Sequence, residues 1–215
     1  DVVIMKNTMV DEVGETLAQI GIPAVYVNLE TPELFLQDLA NLGLILGNEK
    51  RAQEIGDFYQ IRLNCFAEAI KNIEENEKPR VLLVEYSDRG STVAVQVPAE
   101  SWMQTIQVQM AGGHPVWLEE AQPTDGYTVV NLEQIARWDP DQIYLVVWFT
   151  LDPQEVVDTL KADPRWNKLK ALKNEQCYAF PTDIFGWDIP EPRWILGMTW
   201  LAKNIHPDLF QIGRA

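Results

Sequence analysis

Apolar and polar positions along the chain follow two rhythms, short unbroken apolar runs and apolar marks repeated at helical spacing. Residues 2–5, Val-Val-Ile-Met, form a run that predicts a buried strand. Val10, Val13, Leu17 and Ile20 then predict a helix over 9–20, which Gly21 ends as a carboxyl cap. Pro23 opens a second strand-like run over 24–28. Thr31 predicts an N-cap with Pro32 at the first helical position, and Leu34, Leu39, Leu42 and Leu46 mark the helix that follows. Strand, helix, strand, helix in this order implies a parallel sheet with helices packed on it.

Residues 49–77 differ from the rest. No proline interrupts them, and Ile55, Tyr59, Leu63, Phe66, Ile70 and Ile73 recur at helical spacing, with Gly56 the one weak helix former. If wholly helical, the segment would run roughly 43 Å, longer than a small domain requires. Periodicity alone leaves two readings, a rigid connector between α/β units or a long surface helix of one domain.

Lys78-Pro79 end that segment and a second α/β series begins. Strands are expected over 80–85, 92–97 (a partner strand or hairpin), 142–148 and 176–180. Helices are expected over 101–111, closed by Gly112-Gly113, and over 131–138, 153–161 and 192–204. A helical turn at 169–172 and a short helix at 207–210 complete the series. The chain carries no internal repeat and no low-complexity tract.

Composition narrows the class. The 215 residues are 47% hydrophobic and 23% charged, as in a soluble globular protein, which excludes a disordered or fibrous chain. A formal net charge of −15 argues against nucleic acid or an anionic membrane surface as partner, since both demand clustered Lys and Arg. No stretch approaches the roughly 20 apolar residues of a membrane span. No signal peptide opens the chain, and the start Asp1-Val-Val-Ile-Met lies inside a strand-like run, so a first domain begun earlier is expected. Cys65 and Cys177 are far apart and outside any Cys-x-x-Cys spacing, and both are expected to be buried thiols.

Catalytic machinery is sparse. The two histidines, His114 and His206, each precede a proline, and neither belongs to a metal-ligand pattern. Gly112-Gly113 follow a helix instead of preceding one, so their amides do not make an anion site. Tryptophan is abundant, with eight copies. Trp138, Trp166, Trp194 and Trp200 are expected in the core. Trp102, Trp148 and Trp187 lie where strands give way to loops or helices, and Tyr86 to Arg89 follow the strand over 81–85. Ligands of parallel α/β sheets bind beyond the carboxyl ends of strands, and aromatic surfaces suit flat or macrocyclic solutes.

Several segments carry a family resemblance: Leu17-Ala-Gln-Ile-Gly-Ile-Pro-Ala-Val25, Leu42-Gly-Leu-Ile-Leu-Gly-Asn-Glu-Lys-Arg-Ala52, Ala111-Gly-Gly, and Val130-Asn-Leu-Glu-Gln-Ile-Ala-Arg-Trp-Asp-Pro-Asp-Gln-Ile143. Trp166-Asn-Lys-Leu-Lys-Ala-Leu-Lys-Asn-Glu-Gln-Cys-Tyr178 and Pro192-Arg-Trp-Ile-Leu-Gly-Met-Thr-Trp-Leu-Ala202 continue it. In order and spacing these resemble the iron-chelate, haem and cobalamin class of ABC-importer binding proteins, whose two lobes are joined by one rigid helix.

The resemblance implies an α/β fold of two three-layer lobes joined by one long helix, with the first lobe incomplete. Residues 1–48 would be the carboxyl-terminal part of lobe one, 49–78 the connector, and 79–215 lobe two. It implies an extracytoplasmic, lipid-anchored, monomeric capture protein and not an enzyme, with no cofactor and no resident metal. The solute would be a metal chelate, an iron-siderophore or haem, held by Tyr86, Arg89, Trp102, Trp148 and Trp187. Arg89 would pair with carboxylates or catecholates. An ABC permease would dock on Asp11 or Glu12 and on Glu133, although carboxylates in a helix's first turn also favour its dipole, and Asn131 with Gln134 resembles a capping box. The competing readings are a molybdate, tungstate or cobalamin binder of the same class, a sensor domain, and a chelatase or nitrogenase-like enzyme component.

Overall fold

In the computed structural model, which describes residues 2–89, 92–121, 126–147, 151–181 and 186–210 (the side chains of 89 and 92 excepted), the first apolar run is strand β1 (Val3–Lys6). It pairs in parallel with β2 (Ala24–Val27), from Val3↔Ala24 to Lys6↔Val27. The single helix expected between them is divided into a 3-10 turn (Asn7–Met9), a π-helical turn (Val10–Gly14) and a short helix α1 (Glu15–Gln19). Gly14, the poorest helix former in the run, stands at the join. Gly21 has φ 69°, the left-handed conformation expected of a carboxyl cap.

Helix α2 (Pro32–Ile45) starts as its sequence dictates, with the Thr31 Oγ1 accepting from the Leu34 amide at 3.2 Å and Pro32 in the first turn. Leu29 just before it is held at φ 64°, and the Asp38 carboxylate offsets that turn by accepting from the amides of Asn28 and Leu29 at 2.7 and 3.2 Å. Helix α3 (Glu49–Ile70) buries Ala52, Tyr59, Leu63 and Phe66 along one stripe. The chain divides into two units within it, at residues 1–61 and 62–215. In the first unit Phe35 meets Tyr59 edge-on with centroids 4.9 Å apart. Ile20, Leu44 and Leu46 stay exposed there at 63%, 65% and 63%, because two strands and their helices bury few of the apolar positions that the pattern marks.

α3 is shorter than the helix predicted over 49–77. At 22 residues it spans about 33 Å, and a turn at 71–72 and a 3-10 turn (Glu75–Glu77) follow. Glu74, Glu75 and Glu77 would sit at the negative end of a longer helix, where carboxylates are disfavoured. Glu74 and Glu77 instead form a capping box around the 3-10 turn. Cys65 is exposed, which corrects the expectation of a buried thiol, since it lies off the Tyr59–Leu63–Phe66 stripe. Cys177 is buried as expected, and burial pushes its thiol up to about 12.

The second unit is built on a six-stranded mixed sheet. β3 (Arg80–Arg89) and β4 (Thr92–Val97) form an antiparallel hairpin, and helix α4 (Met103–Met110) leads into the two-residue strand β5 (His114–Pro115). β6 (Thr128–Val130), α5 (Leu132–Trp138), β7 (Gln142–Val147), α6 (Pro153–Ala162), α7 (Lys170–Lys173), β8 (Cys177–Ala179) and α8 (Trp194–Ile205) follow. Strand order is β6-β4-β3-β7-β8 with β5 beside the start of β3, and β3, β7 and β8 run parallel. All six residues of β7 are buried, so both faces of the sheet centre are covered, as in a layered α/β unit.

Trp138, Trp166 and Trp194 are buried as expected, while Trp200 is half-buried against Tyr144, Tyr178 and Phe180. Trp117 is also fully buried, its indole Nε1 donating to the Pro98 carbonyl at 3.0 Å. Residues 207–209 form a turn in place of the short helix expected over 207–210, with Pro207 one residue past the C-cap His206 of α8.

Candidate ligand-binding site

The carboxyl ends of β3, β7 and β8 lie side by side, and β3 continues beyond β7 through the hairpin with β4. Residues 86–89 therefore belong to a strand, not to the loop that the sequence suggests. Tyr86 pairs with Val95 and Val147. Consecutive strand residues point to opposite faces, so the half-buried Tyr86 projects away from Glu85. Burial, and then Asp88, raise the Tyr86 phenol above its ordinary pKa.

Around Glu85 the sheet end meets α4. Trp102 is the N-cap residue of α4, half-buried, and packs edge-to-face on Tyr127 with centroids 4.9 Å apart and rings at 83°. Gln104 is 3% exposed and its amide nitrogen donates to Tyr127 Oη at 2.7 Å and to Asp188 Oδ2 at 2.8 Å. One turn along, Gln107 is 1% exposed and donates to the carbonyls of Trp187 and Trp194, both at 2.8 Å. Residues three apart share a helix face, so α4 presents two buried amides that fasten the segment around Trp187 and the start of α8. A Cβ on Gly197 of α8 would lie 2.2 Å from the Trp187 carbonyl oxygen, so only glycine permits this approach.

The electrostatics of this corner are unusual. Glu85 and Asp188 are 5% and 4% exposed. Burial pushes the Asp188 carboxyl up, Gln104 and the backbone pull it down, and Glu85 adds to the rise. Tyr127 is raised strongly, by burial first and then by Glu85, with which its hydroxyl also hydrogen-bonds.

Among the expected ligand residues, Trp102 and Trp187 are therefore linked through α4. Arg89 ends β3 opposite Thr92, and its side chain lies outside the described residues, as does the whole of Trp148. Sequence reasoning missed Glu85, Gln104, Gln107, Tyr127 and Asp188. The available signal was two glutamines three apart on a helix face otherwise carrying Met103 and Val108, since buried polar residues are the informative exception.

The expected docking acids are exposed. Glu133 lies in the first turn of α5, behind an Asn131–Gln134 capping box in which each side chain accepts from the other residue's amide, at 2.9 and 3.0 Å. Asp11 and Glu12 lie on the π-helical turn of the first unit. His114 sits between Glu75 and Glu119, at 3.3 and 2.9 Å, and Glu119 also pairs with Arg80. His206 Nε2 lies 3.0 Å from the Gly112 carbonyl. Among the described residues no group of three or more His, Cys, Asp or Glu side chains is arranged to hold a metal ion.

Residues 1–184 match the family described as periplasmic binding protein. The molybdate-binding protein MolA of Haemophilus influenzae is 25% identical over 232 residues, covering 98% of this chain and 62% of MolA. The Fe(3+)-citrate-binding protein YfmC of Bacillus subtilis is 34% identical over 61 residues, covering 28% of this chain and 18% of YfmC. A solved periplasmic solute binding protein of Veillonella parvula is similar at TM-score 0.76 and 27% identity, over 99% of this chain and 61% of its own. This chain thus spans less than two thirds of the length of MolA and of the Veillonella protein.

Proposed function

Since the chain belongs to the periplasmic binding protein family, we propose that it is part of the solute-capturing component of an ABC importer, and not an enzyme. The observation that carries this reading is the family match over residues 1–184. Trp187 follows the parallel strand β8, and Trp102, at the start of α4 after the antiparallel β4, reaches the same corner through Tyr127 and Gln104. Solutes of α/β proteins bind beyond the carboxyl ends of parallel strands. The solute we favour is a metal chelate, an iron-siderophore or haem, contacted by these tryptophans, with Trp148 and the cationic Arg89 completing the surface and Tyr86 left out of it, on the other face of β3. The ferric-citrate relative supports a chelate. A second reading, an oxyanion such as molybdate, is favoured by MolA, which aligns with 98% of this chain.

Delivery follows from the same assignment. Glu133, with Asp11 or Glu12, would meet basic residues of the permease, and α3, which runs from the first unit into the second, would be the connector between lobes. The protein would work as a monomer outside the cytoplasmic membrane, held there by a lipid anchor.

A thermal-shift series on the full-length protein with ferric siderophores, haem, cobalamin and molybdate tests the reading, because a ligand that binds only the native state raises Tm as its concentration rises. One of these solutes is expected to do so, and Trp187→Ala to abolish most of the shift. A shift of wild-type size in Trp187→Ala would remove this surface from the ligand site.

A further inference from the structure

Glu85 and Asp188 are two carboxyl groups, each more than nine-tenths buried, and neither forms an ion pair with a described residue. Their hydrogen-bond donors can be counted. The Gln104 amide spends its donors on Tyr127 Oη and Asp188 Oδ2, the Asp188 backbone amide serves its own carboxyl, and the Tyr127 hydroxyl serves Glu85. Glu85 Oε2 is left buried with no hydrogen-bond partner. Acceptors outnumber donors, and two buried carboxyl groups share one corner with no cationic side chain paired to either. Buried charges are ordinarily paired or coordinate a cation, because an uncompensated one is strongly disfavoured in a medium of low dielectric.

We propose that Glu85, Asp188 and Tyr127 form an oxygen-lined site for one compact cation, seated against Glu85 Oε2 beneath Trp102. All its ligating atoms are hard oxygens, and neither imidazole nor thiolate is present. Such a set selects an alkali or alkaline-earth ion, or an ammonium group of similar size, over softer transition metals. Either source supplies the same chemistry, a small positive charge that carboxylate and phenol oxygens can surround. The cation would also lock Tyr127, and through it Trp102, into one orientation. The site lies wholly within the second unit and stands whether or not the chain captures a chelate.

The test is a melting series on the chain as purified, after dialysis against EDTA. NaCl, KCl, MgCl2, CaCl2 and methylammonium chloride are compared at matched ionic strength with tetramethylammonium chloride, whose cation is too large to enter. At least one salt is expected to raise Tm saturably above the tetramethylammonium reference. Glu85→Gln and Asp188→Asn should each weaken that apparent affinity roughly tenfold or more, while Glu155→Gln, a change at an exposed acid of α6, leaves it intact. A response to metal salts alone identifies an inorganic ion, and a response to methylammonium identifies the cationic group of an organic solute. The proposal is overturned if no salt exceeds the reference, or if both variants respond as wild type. A proton held by the carboxyl pair would then balance the charge.

Discussion

Asp188 is held by opposing forces, burial favouring its neutral form and the Gln104 amide favouring its charged form, with burial the larger. A carboxyl whose pKa is raised on folding contributes stability below its unfolded value of about 3.9 and loses it as pH rises through the folded value. Asp188→Asn retains an oxygen to accept from Gln104 and removes the charge. In tetramethylammonium buffer the variant should melt higher than wild type at pH 7 to 8, with the difference vanishing near pH 4. Equal melting temperatures across that range would contradict the assignment. At this scale the sequence was only partly legible. Trp102 and Trp187 could be picked out because they interrupt the pattern at strand and helix ends. Tyr127 and Glu85 could not, because an aromatic residue before a short strand and a carboxylate at a strand end are ordinary until the fold brings them to one corner.

Elements were more legible than residues. Thr31-Pro32 gave the start of α2 and the buried run gave β7, because in each case a local rule agrees with the tertiary contact. The errors arose where two local rules competed. Apolar spacing favoured extending α3 to residue 77, and the carboxylates at 74, 75 and 77 ended it at Ile70. The packing of α8 is another case, since nothing local says why Gly197 must be glycine. Its approach to the Trp187 carbonyl gives a direct test. Gly197→Ala should cost about 1–3 kcal/mol in denaturant unfolding through overpacking. It should also weaken solute binding, because relief of the clash moves Trp187.

For the whole molecule, several acids respond in the opposite sense from Asp188. Arg80 holds the Glu119 carboxyl down against burial. Burial of Asp141 is outweighed by hydrogen bonds from Lys170 and the Arg80 amide. The side chain and backbone of Arg165 hold Asp163 down to about 2. A carboxyl depressed on folding contributes stability above its unfolded pKa and loses it as pH falls through the folded value. Tm should therefore fall between about pH 4 and pH 2, and Asp163→Asn should flatten the lower part of that descent. The net charge of −15 has a different consequence, since it leaves many acids on the surface and gives Glu133 no electrostatic distinction. If Glu133 docks on a permease as proposed, Glu133→Lys should lower uptake by whole cells at least about tenfold, a coupling loss of roughly 1.4 kcal/mol, with solute affinity unchanged.

The uneven burial of the tryptophans makes the protein its own optical probe. Trp117, Trp138, Trp166 and Trp194 are sealed in the core, while Trp102, Trp187 and Trp200 are half-buried. A water-soluble quencher such as caesium, which a chain of net charge −15 does not repel, should therefore quench the half-buried tryptophans more strongly than the blue-shifted core ones. A solute seated against Trp102 and Trp187 would shield that same fraction. Capture would then be visible as lost quenching in the unlabelled protein, on the time scale of the binding event itself.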